Sequence, residues 1–168
     1  MRSFQYVMMA CLLLLLGCQG PQQAHSAEFT ALFRSEEAPG FRGYRPGDPL
    51  AKVLEQEEGA ARTADAYGLV YEIILGEEKT ARIDYMSREG GTPRRLSAIV
   101  VQVKTPEEAA ASELYTEIEA FLRGRHGVPN GSFGQYRWRD EESELEVELR
   151  MLSDKKSFSL NFAGLVQL

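Results

Sequence analysis

The sequence predicts an α+β domain: an antiparallel sheet with two helices on one face. Three observations carry this. Two stretches have apolar residues at helical spacing behind a proline-led start. Each is followed by three short runs with strand character and turn signals between them. One of those runs, from Glu144 to Leu152, alternates charged and apolar residues without a break as far as Met151. A helix plus three strands, occurring twice, suggests a duplicated unit, although no residue-level repeat accompanies it.

The first helix is predicted to open with Asp48 as N-cap and Pro49 at the first helical position. Leu50, Val53 and Leu54 form its stripe, and Gly59 ends it. The strands of this half are Leu69 to Leu75, Ala81 to Tyr85 and Leu96 to Val103, the last following a turn at residues 89–93. The second helix begins at Thr105-Pro106-Glu107-Glu108, which reads as a capping box. Leu114, Ile118, Phe121 and Leu122 give its apolar face, and Gly124 or Gly127 stops it. Strands are predicted at Gly134 to Arg139, Glu144 to Leu152 and Lys156 to Phe162. The middle one buries Leu145, Val147, Leu149 and Met151.

Ahead of this domain the chain has a different character. Arg2 is followed by an apolar run from Phe4 to Leu16. The run is too short for a spanning helix, which needs about 20 residues, but it has the length of a secretory signal core. It closes on Leu15-Leu16-Gly17-Cys18, which resembles the lipobox of bacterial lipoproteins, with Leu16 where that family usually has a smaller residue. The resemblance implies that residues 1–17 are a cleaved signal peptide. It also implies that Cys18 carries diacylglycerol on its sulfur, with palmitate-type acylation of the new amino group. Gln19 after the cysteine implies the outer membrane, facing the periplasm. Several acyl chains give a stable anchor where one gives only reversible binding.

Residues 18–40 read as the lipidated cysteine and a flexible tether, with a short amphipathic turn near Phe29–Phe33 as the one alternative; residues 41–168 read as a single folded domain. Removing residues 1–17 takes one arginine and no acid, shifting the net charge from −6 to −7. Such a chain gains nothing from phosphate neutralisation, which argues against nucleic acid. It gains nothing from anionic lipid either, so membrane contact falls to the lipid anchor. Of the two cysteines, Cys11 leaves with the signal and Cys18 is consumed by lipid. The domain therefore offers no disulfide, thiol nucleophile or cysteine metal site.

Within the domain, Pro46-Gly47-Asp48-Pro49-Leu50-Ala51-Lys52-Val53-Leu54 resembles the opening of small periplasmic α+β lipoproteins. These include the SmpA/BamE-like component of the barrel-assembly machinery and the β-lactamase-inhibitor fold. His126-Gly127-Val128-Pro129, followed by Tyr136 and Trp138 in a strand, is similar to their helix-to-strand passage. That resemblance implies a fold and carries no functional residues across.

Few residues suggest chemistry. Glu144, Glu146 and Glu148 could pair as acid and base. A hairpin turn at Asp140 to Ser143 would instead set Arg139 opposite Glu144 and Arg137 opposite Glu146, as charge pairs on a solvated face. His126 reads as a positive group complementing the C-terminus of its helix. No Gly-x-Ser-x-Gly elbow is present, and neither a zinc nor a calcium ligand set. Tyr136 and Trp138 alternate with Arg137 and Arg139, which favours the core over a groove. Phe41, Tyr44 and Tyr67 read as edge packing first and partner surface second. The expectation is a non-enzymatic, cofactor-free accessory module of the envelope that engages a protein partner. Binding of a small ligand or envelope polymer is the alternative, and glycan or cell-wall hydrolysis ranks third.

Overall fold

The computed structural model describes residues 24–35, 40–59, 61–65, 67–88, 93–132 and 134–165. Eight strands form one antiparallel sheet: β1 (Thr63–Ala64), β2 (Gly68–Gly76), β3 (Lys79–Ser87), β4 (Leu96–Lys104), β5 (Asn130–Ser132), β6 (Gln135–Asp140), β7 (Leu145–Met151) and β8 (Ser157–Gly164). Their order is β1-β2-β3-β4-β8-β7-β6-β5. Two meanders therefore lie side by side and meet where β4 pairs with β8. The six long strands fall where the apolar periodicity places them. β1 and β5 are additions of two and three residues, too short to leave a periodic signal.

Among the described residues three helices, rather than two, cover one face: α1 (Ala27–Phe33), α2 (Leu50–Gln56) and α3 (Glu108–His126). Their buried side chains share one core with the inward residues of the sheet, including Tyr85, Ile99, Val101, Leu160, Phe162 and Trp138. α1 arises from the stretch expected to be tether. Ser26 caps it by accepting from the Phe29 amide, and Phe29, Leu32 and Phe33 are buried. Seven residues would be marginal as an isolated helix. Burial of three large side chains, at roughly 1.5–3 kcal/mol each, holds this one in place. The fold thus takes in residues well before Phe41. The signal, the lipobox, Cys18 and the turn at residues 89–92 lie outside the described residues.

Both expected helix caps differ. α2 begins at Leu50 behind Pro49 with no side-chain cap. Asp48 instead accepts from the Arg45 amide (3.1 Å) and from Lys52 Nζ (3.0 Å). α3 has Glu107 as its uncapped N-cap. Thr105 Oγ1 donates to the carbonyls of Glu107 (2.8 Å) and Lys156 (3.0 Å), tying the helix entrance to the β7–β8 turn. α3 runs through Gly124 and stops at Gly127, whose φ of 79° suits glycine and whose amide donates to the Arg123 carbonyl.

Candidate functional site: the open face of the sheet

Alternation along the strands sends one set of side chains under the helices and leaves the other set uncovered. On the open side the central strands present half-buried Ala98 and Val100 and exposed Gln102 and Lys104 from β4, and half-buried Ser157, Ser159, Asn161 and Ala163 from β8. Longer side chains rise from the flanking strands, Arg82 and Met86 on β3 and Glu146, Glu148 and Arg150 on β7. The result is a shallow trough over one end of β4 and β8, where Ala98 lies opposite Ala163 and Val100 opposite Asn161. Three inter-strand gaps separate β3 from β7, so their backbones lie about 14 Å apart. At the floor of the trough, Asn161 Oδ1 is buried and accepts no hydrogen bond among the described residues.

A pocket of about 340 Å³ lies beside the trough, over β2 and β3, lined by Tyr67, Val70, Arg82, Asp84, Met86 and Val100. Tyr67 is 65% exposed, yet its backbone is fixed. Asp65 Oδ1 accepts from the amides of Tyr67 (2.8 Å) and Gly68 (3.2 Å), and the Ser87 amide donates to the Tyr67 carbonyl (2.7 Å). Gly68 is required by close approach, since a Cβ there would stand 2.0 Å from the Tyr85 carbonyl oxygen. These bonds hold an exposed aromatic beside Val70, Met86 and Val100, an arrangement favoured at contact surfaces.

Charges on this face pair among themselves. Arg82 engages Asp84 at 2.9 Å, and Arg62 engages Glu72. Arg137 sits 3.2 Å from Glu148 and 3.6 Å from Glu146. The face therefore carries little net charge on an acidic chain. The register corrects the sequence reading by two residues: Arg137 lies opposite Glu148 and Arg139 opposite Glu146. The turn occupies residues 141–144, and Glu144, at φ 52°, belongs to it and not to the strand row. Neither Glu146 nor Glu148 lines the pocket.

Other candidates occupy the interior. Trp138 and Tyr136 are buried, and Trp138 Nε1 donates to the Gly127 carbonyl at 3.0 Å. Phe41 and Tyr44 are buried as well, so only Tyr67 of that aromatic set is exposed. The His126 side chain is 6% exposed, with Nδ1 3.4 Å from Asp140 Oδ2. Burial, then the neighbouring Arg125, holds its pKa below the ordinary histidine value in spite of Asp140. His126 is therefore neutral at pH 7, and Arg123 and Arg125 supply the basic groups of the last turn.

Sequence reasoning missed one constellation altogether. Glu57, its side chain 1% exposed, accepts from Arg42 Nε (2.9 Å), Arg34 Nη2 (2.9 Å) and the Tyr85 hydroxyl. Arg42 also donates to the carbonyls of Ala31 (2.7 Å) and Leu32 (3.1 Å), and Arg34 to that of Gln56 (3.2 Å). Burial, reinforced by Glu57, raises the Tyr85 hydroxyl far above the usual phenol range, so it stays a donor. These contacts tie the ends of α1 and α2 to β3. No local motif announces four residues spread from Arg34 to Tyr85.

Fold and face together define a one-sided, strand-rich α+β domain with a polar, charge-balanced open surface. No protein-family model, curated protein or solved structure matches the chain. Among the described residues, no helix is long and apolar enough to cross a membrane, and no cluster of three or more His, Cys, Asp or Glu side chains is placed to hold a metal ion.

Proposed function

We propose that this protein is a lipid-anchored, non-enzymatic module of the bacterial envelope that engages a protein partner through the open face of its sheet. The anchor is Cys18, on the outer membrane's periplasmic side, and its support is the lipobox resemblance. The observation that carries the contact surface is the trough. Beside it, the fixed, exposed Tyr67 gives a partner an aromatic point of purchase.

Binding of a small ligand or envelope polymer is the second reading. It is favoured by the pocket beneath Tyr67, which is at the small end of the range that ligands occupy.

The anchor is tested by Cys18→Ser in the full-length chain, expressed in a bacterium. Loss of palmitate labelling and retention of the unprocessed signal are the expected results. Undiminished labelling and membrane retention would overturn this half of the proposal.

A further inference from the structure

The sheet ends on one side at β5, the last strand in its order, where Asn130, Gly131 and Ser132 are all exposed. Backbone alternation fixes which way that edge points. The Met151 amide donates to the Gly134 carbonyl at 2.8 Å, so Gly134 and Tyr136 turn their backbone groups toward β7. Arg137, one residue on, therefore turns its own toward β5, where it faces Asn130 in register. Two such residues exchange both bonds of an antiparallel pair, so the Asn130 carbonyl points into the sheet. Across a planar trans peptide the N–H lies opposite the carbonyl. The Gly131 amide thus points out from the edge, and among the described residues no strand lies beyond it.

Gly131 is also required by the fold. Its φ is 111°, and a Cβ there would stand 2.3 Å from the Gln135 carbonyl oxygen. The residue that leaves an amide nitrogen unshielded by any side chain therefore stands directly after an asparagine. For the Asn130 side chain to reach that nitrogen, the Asn130 ψ must leave the extended range. A strand of three exposed residues, bonded on one side only, opens locally at small cost. The chain's other asparagine, Asn161, differs in each of these respects. It lies in β8 between the ladders of β4 and β7, and the residue after it is buried Phe162.

We infer that Asn130 is a site of spontaneous deamidation in the folded protein. The Gly131 nitrogen gives its proton to solvent base and attacks Asn130 Cγ. The new C–N bond closes a cyclic imide, and the side-chain nitrogen leaves as ammonia. Water then opens the imide at one of its two carbonyls. Cleavage at Cγ restores the chain with an aspartate at position 130. Cleavage at the main-chain carbonyl gives isoaspartate, with the backbone routed through the former side chain. One water is consumed for each ammonia released. Either product sets a carboxylate across from Arg137, which already serves Glu146 and Glu148 on the open face. That face, charge-balanced as synthesised, gains negative charge at this edge as the protein ages.

The test is storage of the purified full-length protein at neutral and mildly alkaline pH, compared with a fresh sample. Trypsin cuts after Arg125, Arg137 and Lys156, so the two asparagines fall in separate peptides, residues 126–137 and 157–168. The 126–137 peptide is expected to gain the mass of an amide-to-acid exchange, faster at the higher pH, and to resolve into aspartate and isoaspartate forms. The 157–168 peptide should stay unchanged. Asn130→Gln, whose longer side chain closes the ring far more slowly, should abolish the products while leaving the thermal melt in place. An intact Asn130 after storage would overturn the site. Equal conversion of Asn161 would overturn the role given to the sheet edge, and aspartate without isoaspartate would overturn the imide route.

Discussion

Glu57 and Glu148 are both carboxylates engaged by arginine, yet they occupy opposite environments. Under the helices, Glu57 and Arg42 are 1% and 5% exposed, and the carboxylate also binds Arg34 and Tyr85. On the open face, Glu148 shares a half-exposed Arg137 with Glu146 and also accepts from Gln135 at 2.8 Å. Water has been removed from the first cluster, so every partner there must be satisfied. In the second, water replaces any partner that leaves. The first holds the helices on the sheet, and the second leaves a surface free to exchange its bonds with a visitor.

The sharpest way to break this contrast is Glu57→Ala. It strands the Arg42 guanidinium in the interior and should cost about 3–5 kcal/mol of stability, read by chemical denaturation. Next is Gly68→Ala. Its methyl would meet the Tyr85 carbonyl oxygen, forcing β2 from β3 at the end of the sheet that fixes Tyr67. A loss of about 1–3 kcal/mol is expected, with amide exchange quickened first around residues 67–70.

His126 adds a smaller, pH-dependent effect. Its folded pKa lies below the unfolded value near 6.5, so between the two the unfolded chain binds more protons. Its contribution is therefore complete above about pH 6.5 and falls on acidification until the folded pKa is reached. Thermal melts of wild type and His126→Gln at pH 7.5 and 5.5 should show the larger acid loss in wild type. Smallest of all, Glu148→Gln should change stability by only about 0–1 kcal/mol. A loss as large as that of Glu57→Ala would erase the distinction between the clusters.

Much of the sheet was legible because period-two alternation marks a strand with one dry face. Glu144 to Leu152 shows it most plainly, and the same pattern placed Trp138 and Tyr136 inside. The hairpin register was not legible. Asp140 through Glu144 offers several turn geometries, and the observed one depends on Glu144 adopting a positive φ and on the Ser143 amide donating to Asp140 Oδ1 at 3.1 Å. α1 left a faint trace, with Ser26 ahead of the 29/32/33 spacing. Seven residues among polar neighbours do not specify a helix without the core they pack against. Glu57 left none, because its partners converge only through tertiary structure. Of the candidate surface, alternation disclosed the charged rows. The trough arises from the β4–β8 pairing, which brings Ala98 and Val100 opposite Ala163 and Asn161 across more than fifty residues of sequence.

The contact surface is tested most directly by a photo-crosslinking residue placed at Ser159, beside the trough, or at Thr116 on α3, in intact cells at native expression. The account predicts one discrete adduct from position 159, lost on Tyr67→Ala, and none from 116. Adducts from 116 alone, or a 159 adduct indifferent to Tyr67, would contradict the assignment of the open face as the working surface.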